Sequence, residues 1–223
     1  DVICTDKTGT LTQNRMVVRC AEVGGRRLEV QLGPGGELVF AERGHGPVVP
    51  SFSGADPLGE LVSSCIAAPG AHVAADGTIG GDPTDAALLR VWHQYRARVA
   101  AAGRTVEVLR VVPFDRDRKL VTVLTSSERG VEVHSHGAPE AVLARSATLL
   151  GDDARVRPLD DETRADLHRR IDEWASLGLR VIALARAPAE VVSLEEASLL
   201  DRDALLDRVE RDLVFVGLVG IAD

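Results

Sequence analysis

The residues best suited to chemistry come first in the chain, where an apolar strand, Val2-Ile3-Cys4-Thr5, runs into Asp6-Lys7-Thr8-Gly9-Thr10-Leu11-Thr12. A carboxylate at the carboxyl end of a buried strand, followed at once by small, turn-permissive residues, is where α/β folds set reacting groups. Asp6 is therefore the candidate nucleophile. Attack of a carboxylate on a γ-phosphoryl group yields an acyl phosphate, a covalent intermediate that a later step can discharge. That attack brings two anions together, so it needs Mg2+ and nearby donors. Lys7, the hydroxyls of Thr8 and Thr10 and the open Gly9 backbone are of the right type to help. Taken alone, an Asp at such a turn is more often a loop cap.

Whatever positions that loop must come from the remaining chain. Its 223 residues, 45% of them hydrophobic, suffice for one sizeable core or for one domain plus a fragment of a second. The formal charge of -8 argues against a nucleic-acid-tracking surface and against attraction to anionic lipid. The longest apolar run, Leu213 to Ala222, contains two glycines and falls short of the ~20 residues a membrane-spanning helix needs. With only four Phe, two Trp and one Tyr, Val, Leu and Ala must fill the core, and an aromatic beside a turn calls for a reason. Cys4, Cys20 and Cys65 are too few and too scattered for a disulfide framework or a zinc site, so they read as buried thiols of a reducing compartment. No signal-peptide pattern opens the chain, and both ends read as β-rich. The expectation is a piece of a longer protein.

Periodicity predicts an α+β fold, a mixed, largely antiparallel sheet with helices against it. Met16 to Val23 and Arg27 to Gln31 flank Gly24-Gly25 as a hairpin, while Gly33 to Gly36 and Glu42 to Gly54 read as exposed loops. Leu58 to Ala67 can be helical. A clearer helix starts at the cap Asp82 and Pro83, carries Leu88, Leu89, Trp92, Tyr95 and Val99 on one face, and stops at Gly103. Val106 to Val112, Leu120 to Thr125 and Val131 to His134 read as strands, the last two as a hairpin. A helix over Asp161 to Leu177 stopped by Gly178, a strand over Leu179 to Ala185, a helix from Ser193 to about Val209 and a strand over Leu213 to Val219 complete the pattern.

The DKTGTLT run of Asp6 to Thr12 resembles the phosphorylation signature of P-type ATPases, the cation pumps of the haloacid-dehalogenase-like superfamily, and seven matching residues outweigh the loop-cap reading. The resemblance continues in order. Gly81-Asp82-Pro83-Thr84-Asp85-Ala86-Ala87-Leu88 is similar to the family's G-(D/E)-x-T-E-x-A-L, and Phe114-Asp115-Arg116-Asp117-Arg118-Lys119 to its F-x-(S/R)-x-R-K. His136-Gly137-Ala138-Pro139-Glu140 is similar to K-G-A-P-E, and Gly178-Leu179-Arg180-Val181-Ile182-Ala183 to G-x-R-x-(L/I)-A. The resemblance implies that Asp6 is phosphorylated by ATP, that Thr8 lends its carbonyl to an Mg2+ shared with Asp6, and that Lys7 shapes the loop. It implies a nucleotide-binding domain over residues 15–219, flanked by residues 1–14 and 220–223 of a phosphorylation domain. Adenine would stack on Phe114, Arg116, Lys119 and Arg180 would follow the triphosphate, and His136 and Gly137 would line the pocket. Asp85 matches a family Glu near the adenine amino group, and equally suits a first-turn helix carboxylate favoured by the macrodipole.

Two departures matter. His136 stands where the family usually has Lys, so the pocket carries less charge at neutral pH, and weaker, pH-sensitive nucleotide affinity is expected. The chain also contains neither the later T-G-D and D-G-x-N-D segments nor the T-G-E loop, so it is expected to bind ATP without turning it over. The parent implied by the resemblance is a membrane pump with this domain on the cytoplasmic face, working with phosphorylation, actuator and transmembrane domains of the same polypeptide. The F-x-R-x-R-K and G-A-P-E segments look like those of light-cation pumps such as calcium, and the S-E-H-P element of heavy-metal pumps is not found. A soluble dehalogenase-like phosphohydrolase is the alternative, weakened because Thr8 stands where such enzymes carry a second Asp as acid and base. A non-catalytic binding module is the third.

Overall fold

The computed structural model describes residues 16–52, 55–102, 107–127, 130–187 and 192–223. Asp6, Lys7 and Thr8, and Gly103 as a helix stop, lie outside the described residues. In chain order the elements begin with β1 (Val17–Val23), β2 (Arg26–Leu32), β3 (Leu38–Glu42), β4 (Gly46–Val48), α1 (Pro57–Ser64), β5 (Ala71–Val73) and β6 (Ile79–Gly81). They continue as α2 (Pro83–Ala101), β7 (Glu107–Val112), β8 (Leu120–Ser127), β9 (Gly130–Gly137), α3 (Pro139–Arg145), β10 (Ser146–Leu150) and β11 (Val156–Pro158). Last come α4 (Asp161–Ser176), β12 (Arg180–Arg186), α5 (Leu194–Leu199), α6 (Arg202–Val209) and β13 (Leu213–Ala222).

One large sheet organises the molecule, in the order β4-β3-β2-β1-β13-β12-β9-β8-β7, with β10 beside β13 and β11 beside β10. Every pairing is antiparallel except β10 with β13, which makes the sheet mixed as the sequence predicts. β13 is central because it can be: its apolar run is buried from Leu213 to Ile221, and a strand covered on both faces must be apolar throughout. Its side chains divide between the faces. Val216, Val219 and Ile221 join the core under α1 and α2, with Leu58, Leu61, Leu88 and Val91. Leu213, Phe215 and Leu218 join the core on the opposite face, with Val142, Leu167, Trp174, Leu205 and Val209 from α3, α4 and α6. The alternation recurs in β12, where Ile182 and Leu184 face one core and Ala183 and Ala185 the other. The result is a helix–sheet–helix sandwich.

Three sequence expectations are corrected. The Glu42 to Gly54 stretch is not simply an exposed loop: β4 lies within it, and Phe52 is buried and tilted against Tyr95. The helix expected from Ser193 to Val209 is two helices. Ser193 caps α5 with a reciprocal box to Glu196, the chain turns extended at Leu200, and the Asp201 carboxylate caps α6 through Ala204 N–H. The β9 strand runs three residues beyond His134, so His136 and Gly137 sit in the sheet rather than after it. No helix among the described residues is long and apolar enough to cross a membrane.

Candidate nucleotide site

The residues singled out between Asp85 and Arg180 gather around the shared end of β8, β9 and β12. Gly137 closes β9 opposite Leu120, the first residue of β8, and pairs with Ala183 of β12 on its other side. The approach is close enough that a Cβ on Gly137 would stand 2.1 Å from the Lys119 carbonyl oxygen, so only glycine fits. That same carbonyl accepts the Ala138 N–H at 3.1 Å. β8 and β9 are thereby pinned together where the motifs meet.

Next to this junction the 113–119 loop is wound into a tight turn. The Asp115 carboxylate accepts the N–H groups of Asp117 at 2.9 Å and Arg118 at 3.1 Å, and these two bonds hold its carboxyl below the usual range. The Asp115 carbonyl accepts the Lys119 N–H at 2.6 Å, and Lys119 turns the chain with φ +56°. The outcome is a tightly hydrogen-bonded turn with an exposed aromatic: Phe114 is 58% exposed in a chain with few aromatics. Arg116, two residues on, is exposed and has no hydrogen bond or ion pair among the described residues. Lys119 reaches Glu140 at 3.2 Å, both side chains more than half exposed, a contact that holds little energy and is readily given up to a competing anion.

The α2 N-terminus forms the facing wall. The Asp82 cap accepts Thr84 N–H and Asp85 N–H, as the sequence predicts, and this first turn presents Thr84 and Asp85 to the sheet. Arg180, exposed at the start of β12, donates to Thr84 Oγ1 at 2.6 Å. Asp85 is buried, where its Oδ2 accepts Gly70 N–H at 2.6 Å and its Oδ1 lies 3.2 Å from His136 Nε2. His136 is only 3% exposed, and its Nδ1 has no partner. Asp85 is therefore more than a first-turn carboxylate in the helix field: it ties the 65–70 loop, α2 and β9 into one unit.

Arg118 behaves differently from its neighbours. It is drawn into the fold as the partner of Glu210, so the apparent run of cations in this loop presents Arg116 and Lys119 outward and withholds Arg118. Sequence reasoning missed Thr84, Glu140 and Glu210. The first two lie inside the quoted motifs, whereas Glu210, 92 residues from Arg118, carries no local signal. Among the described residues no group of three or more His, Cys, Asp or Glu side chains could hold a metal ion, so no step is assigned to Mg2+ on them.

Residues 58–223 match the family described as P-type ATPase, cytoplasmic domain N. The chain belongs to this family. A cation-transporting ATPase of Synechocystis is 30% identical over 236 residues, covering 100% of this chain and 24% of the relative. An endoplasmic reticulum calcium ATPase of Aspergillus fumigatus is 31% identical over 256 residues, covering 100% of this chain and 26% of the relative. A calcium-transporting ATPase of Bacillus subtilis is 29% identical over 232 residues, again covering 100% of this chain and 24% of its own. The chain thus spans about a quarter of the length of the curated relatives it matches. In this P-type N domain the fold class read from periodicity and the family read from the DKTGTLT motif agree.

Proposed function

We propose that this N domain binds ATP at the β8–β9–β12 end and, in an intact cation pump, delivers the γ-phosphoryl group to Asp6. Phe114 offers the adenine a face to stack on, Arg116, Lys119 and Arg180 grip the triphosphate, and Gly137, whose missing Cβ makes room for the Lys119 carbonyl, holds the β8–β9 junction beside them. The observation that carries the reading is the exposed Phe114 set beside outward cations on a loop already fixed by its Asp115 turn. The Phe114 ring offers a flat π face that an adenine can cover, which the other exposed large apolar side chains among the described residues, all Leu or Val, do not. His136 and Asp85 close the pocket at its buried end.

Asp6 and Thr8 would share the Mg2+ that accompanies the triphosphate, and the metal would neutralise charge as the carboxylate attacks. We assign residues 1–14 and 220–223 to the phosphorylation domain and residues 15–219 to the nucleotide domain. Calcium is the proposed cargo, since two of the relatives above are calcium-transporting ATPases by name; calcium-dependent phosphorylation of the full pump tests it.

Isothermal titration of the 223-residue chain with ATP tests the site. Phe114→Ala is expected to cost roughly 1–3 kcal/mol of binding, the scale of base stacking on an aromatic, with the melting temperature unchanged because the ring is exposed. Wild-type affinity in the variant, or no binding by the parent chain, refutes the assignment.

A further inference from the structure

The side chain of Arg118 is only 14% exposed although both its neighbours in the loop are exposed. Its Nη2 donates to Pro113 O at 2.9 Å and to Leu120 O at 3.3 Å, the carbonyls of the loop's first residue and of the residue that follows its last. Its Nη1 donates to Glu210 Oε1, at the C-cap of α6. That carboxylate, 6% exposed, also accepts the Thr122 hydroxyl at 2.6 Å, and Thr122 in turn lies 2.8 Å from Ser135 Oγ. Thr122 spends its only proton on Glu210, so Ser135 is left to donate to Thr122. One guanidinium thus braces both ends of the loop and anchors them through Glu210 to α6, β8 and β9.

We propose that the Arg118–Glu210 pair is the positioning device that holds the 113–119 loop ready for nucleotide, an inference that rests on the ATP-binding reading above. The loop's other side-chain restraints among the described residues, the Asp115 turn, the Arg202–Asp115 pair and the Lys119–Glu140 pair, are at or near the surface, whereas Arg118 reaches the buried Glu210. A loop that is already ordered does not have to be ordered at the moment of binding, and that saving appears as affinity. The planar guanidinium suits the task because it can meet a carboxylate and two carbonyls at once, which an ammonium on a flexible stem does not do in fixed geometry. The pair also cancels its own charge. The triphosphate therefore meets Arg116, Lys119 and Arg180, and no exposed carboxylate from Glu210.

Buried ion pairs are often replaceable by apolar pairs at little cost in stability, which separates positioning from folding. The test uses the 223-residue chain carrying Arg118→Met together with Glu210→Leu. This double variant is expected to keep the parent's urea midpoint, to bind ATP about tenfold more weakly by titration calorimetry, and to exchange the Asp117 and Arg118 amide hydrogens faster. Arg118→Lys, which keeps a charge opposite Glu210, is expected to fall between parent and double variant in both readouts, and it carries the test if the double variant does not fold. Unchanged ATP affinity, or unchanged amide exchange in the loop, overturns the proposal. If the parent chain itself binds no ATP, it is the nucleotide reading that fails, and the exchange arm alone then decides whether the pair holds the loop.

Discussion

At the scale of single residues, His136 shows how a substitution is read differently once its surroundings are known. From sequence it is a histidine where the family resemblance expects a lysine. In the fold it is also a nearly enclosed ring whose Nε2 is 3.2 Å from Asp85, with Asp85 already holding the Gly70 N–H. A lysine there would bring a full charge beside the carboxylate and the nucleotide alike. His136→Lys is expected to strengthen ATP binding at pH 7.5 by roughly 1 kcal/mol, about fivefold; identical titration isotherms for the two chains would remove the histidine from any role in affinity. Phe114 and Arg116 were legible as site candidates because their chemistry is conspicuous in the sequence. Arg118 looked equally cationic, and nothing local distinguishes it from Arg116, because what separates them is a carboxylate 92 residues away.

At the scale of elements, the β8–β9 hairpin and the start of α2 carry the residues of the proposed site. Both were readable locally: the hairpin from alternation, the helix from Asp82 and Pro83 in cap positions. What alternation did not reveal is that β9 continues through His136 to Gly137, because these residues are polar or small and resemble a turn. The requirement for glycine there is steric, with the Lys119 carbonyl only 2.1 Å from where a Cβ would be. Gly137→Ala is expected to destabilise the domain by about 1–3 kcal/mol, the usual penalty for forcing extra volume into a close-packed junction, and to weaken ATP binding as well. A urea midpoint equal to the parent's would show that the strands can part without loss. The split between α5 and α6 was invisible for a related reason. A helix pattern interrupted by the single pair Leu200-Asp201 keeps its periodicity, and only the extended backbone at Leu200 and the Asp201 cap show two elements.

At the scale of the whole molecule, the central β13 is buried on both faces and separates two cores, each covered by its own helices. The 223-residue chain contains DKTGTLT but none of the later phosphate and Mg2+ segments, so it is expected to bind ATP while leaving Asp6 unlabelled after incubation with γ-labelled ATP and Mg2+. Time-dependent acid-stable labelling lost in Asp6→Asn would show that the chain completes the site by itself. The sequence by itself determined the family and the α+β class and named most of the residues of the proposed site, since motif residues and capping patterns act over a few positions and survive as local text. Only the tertiary structure decided which charges face outward and which are spent inside. That choice rests on contacts between distant segments, Arg118 with Glu210, Asp85 with His136 and Arg180 with Thr84, and such contacts exist only once the sheet has brought the segments together.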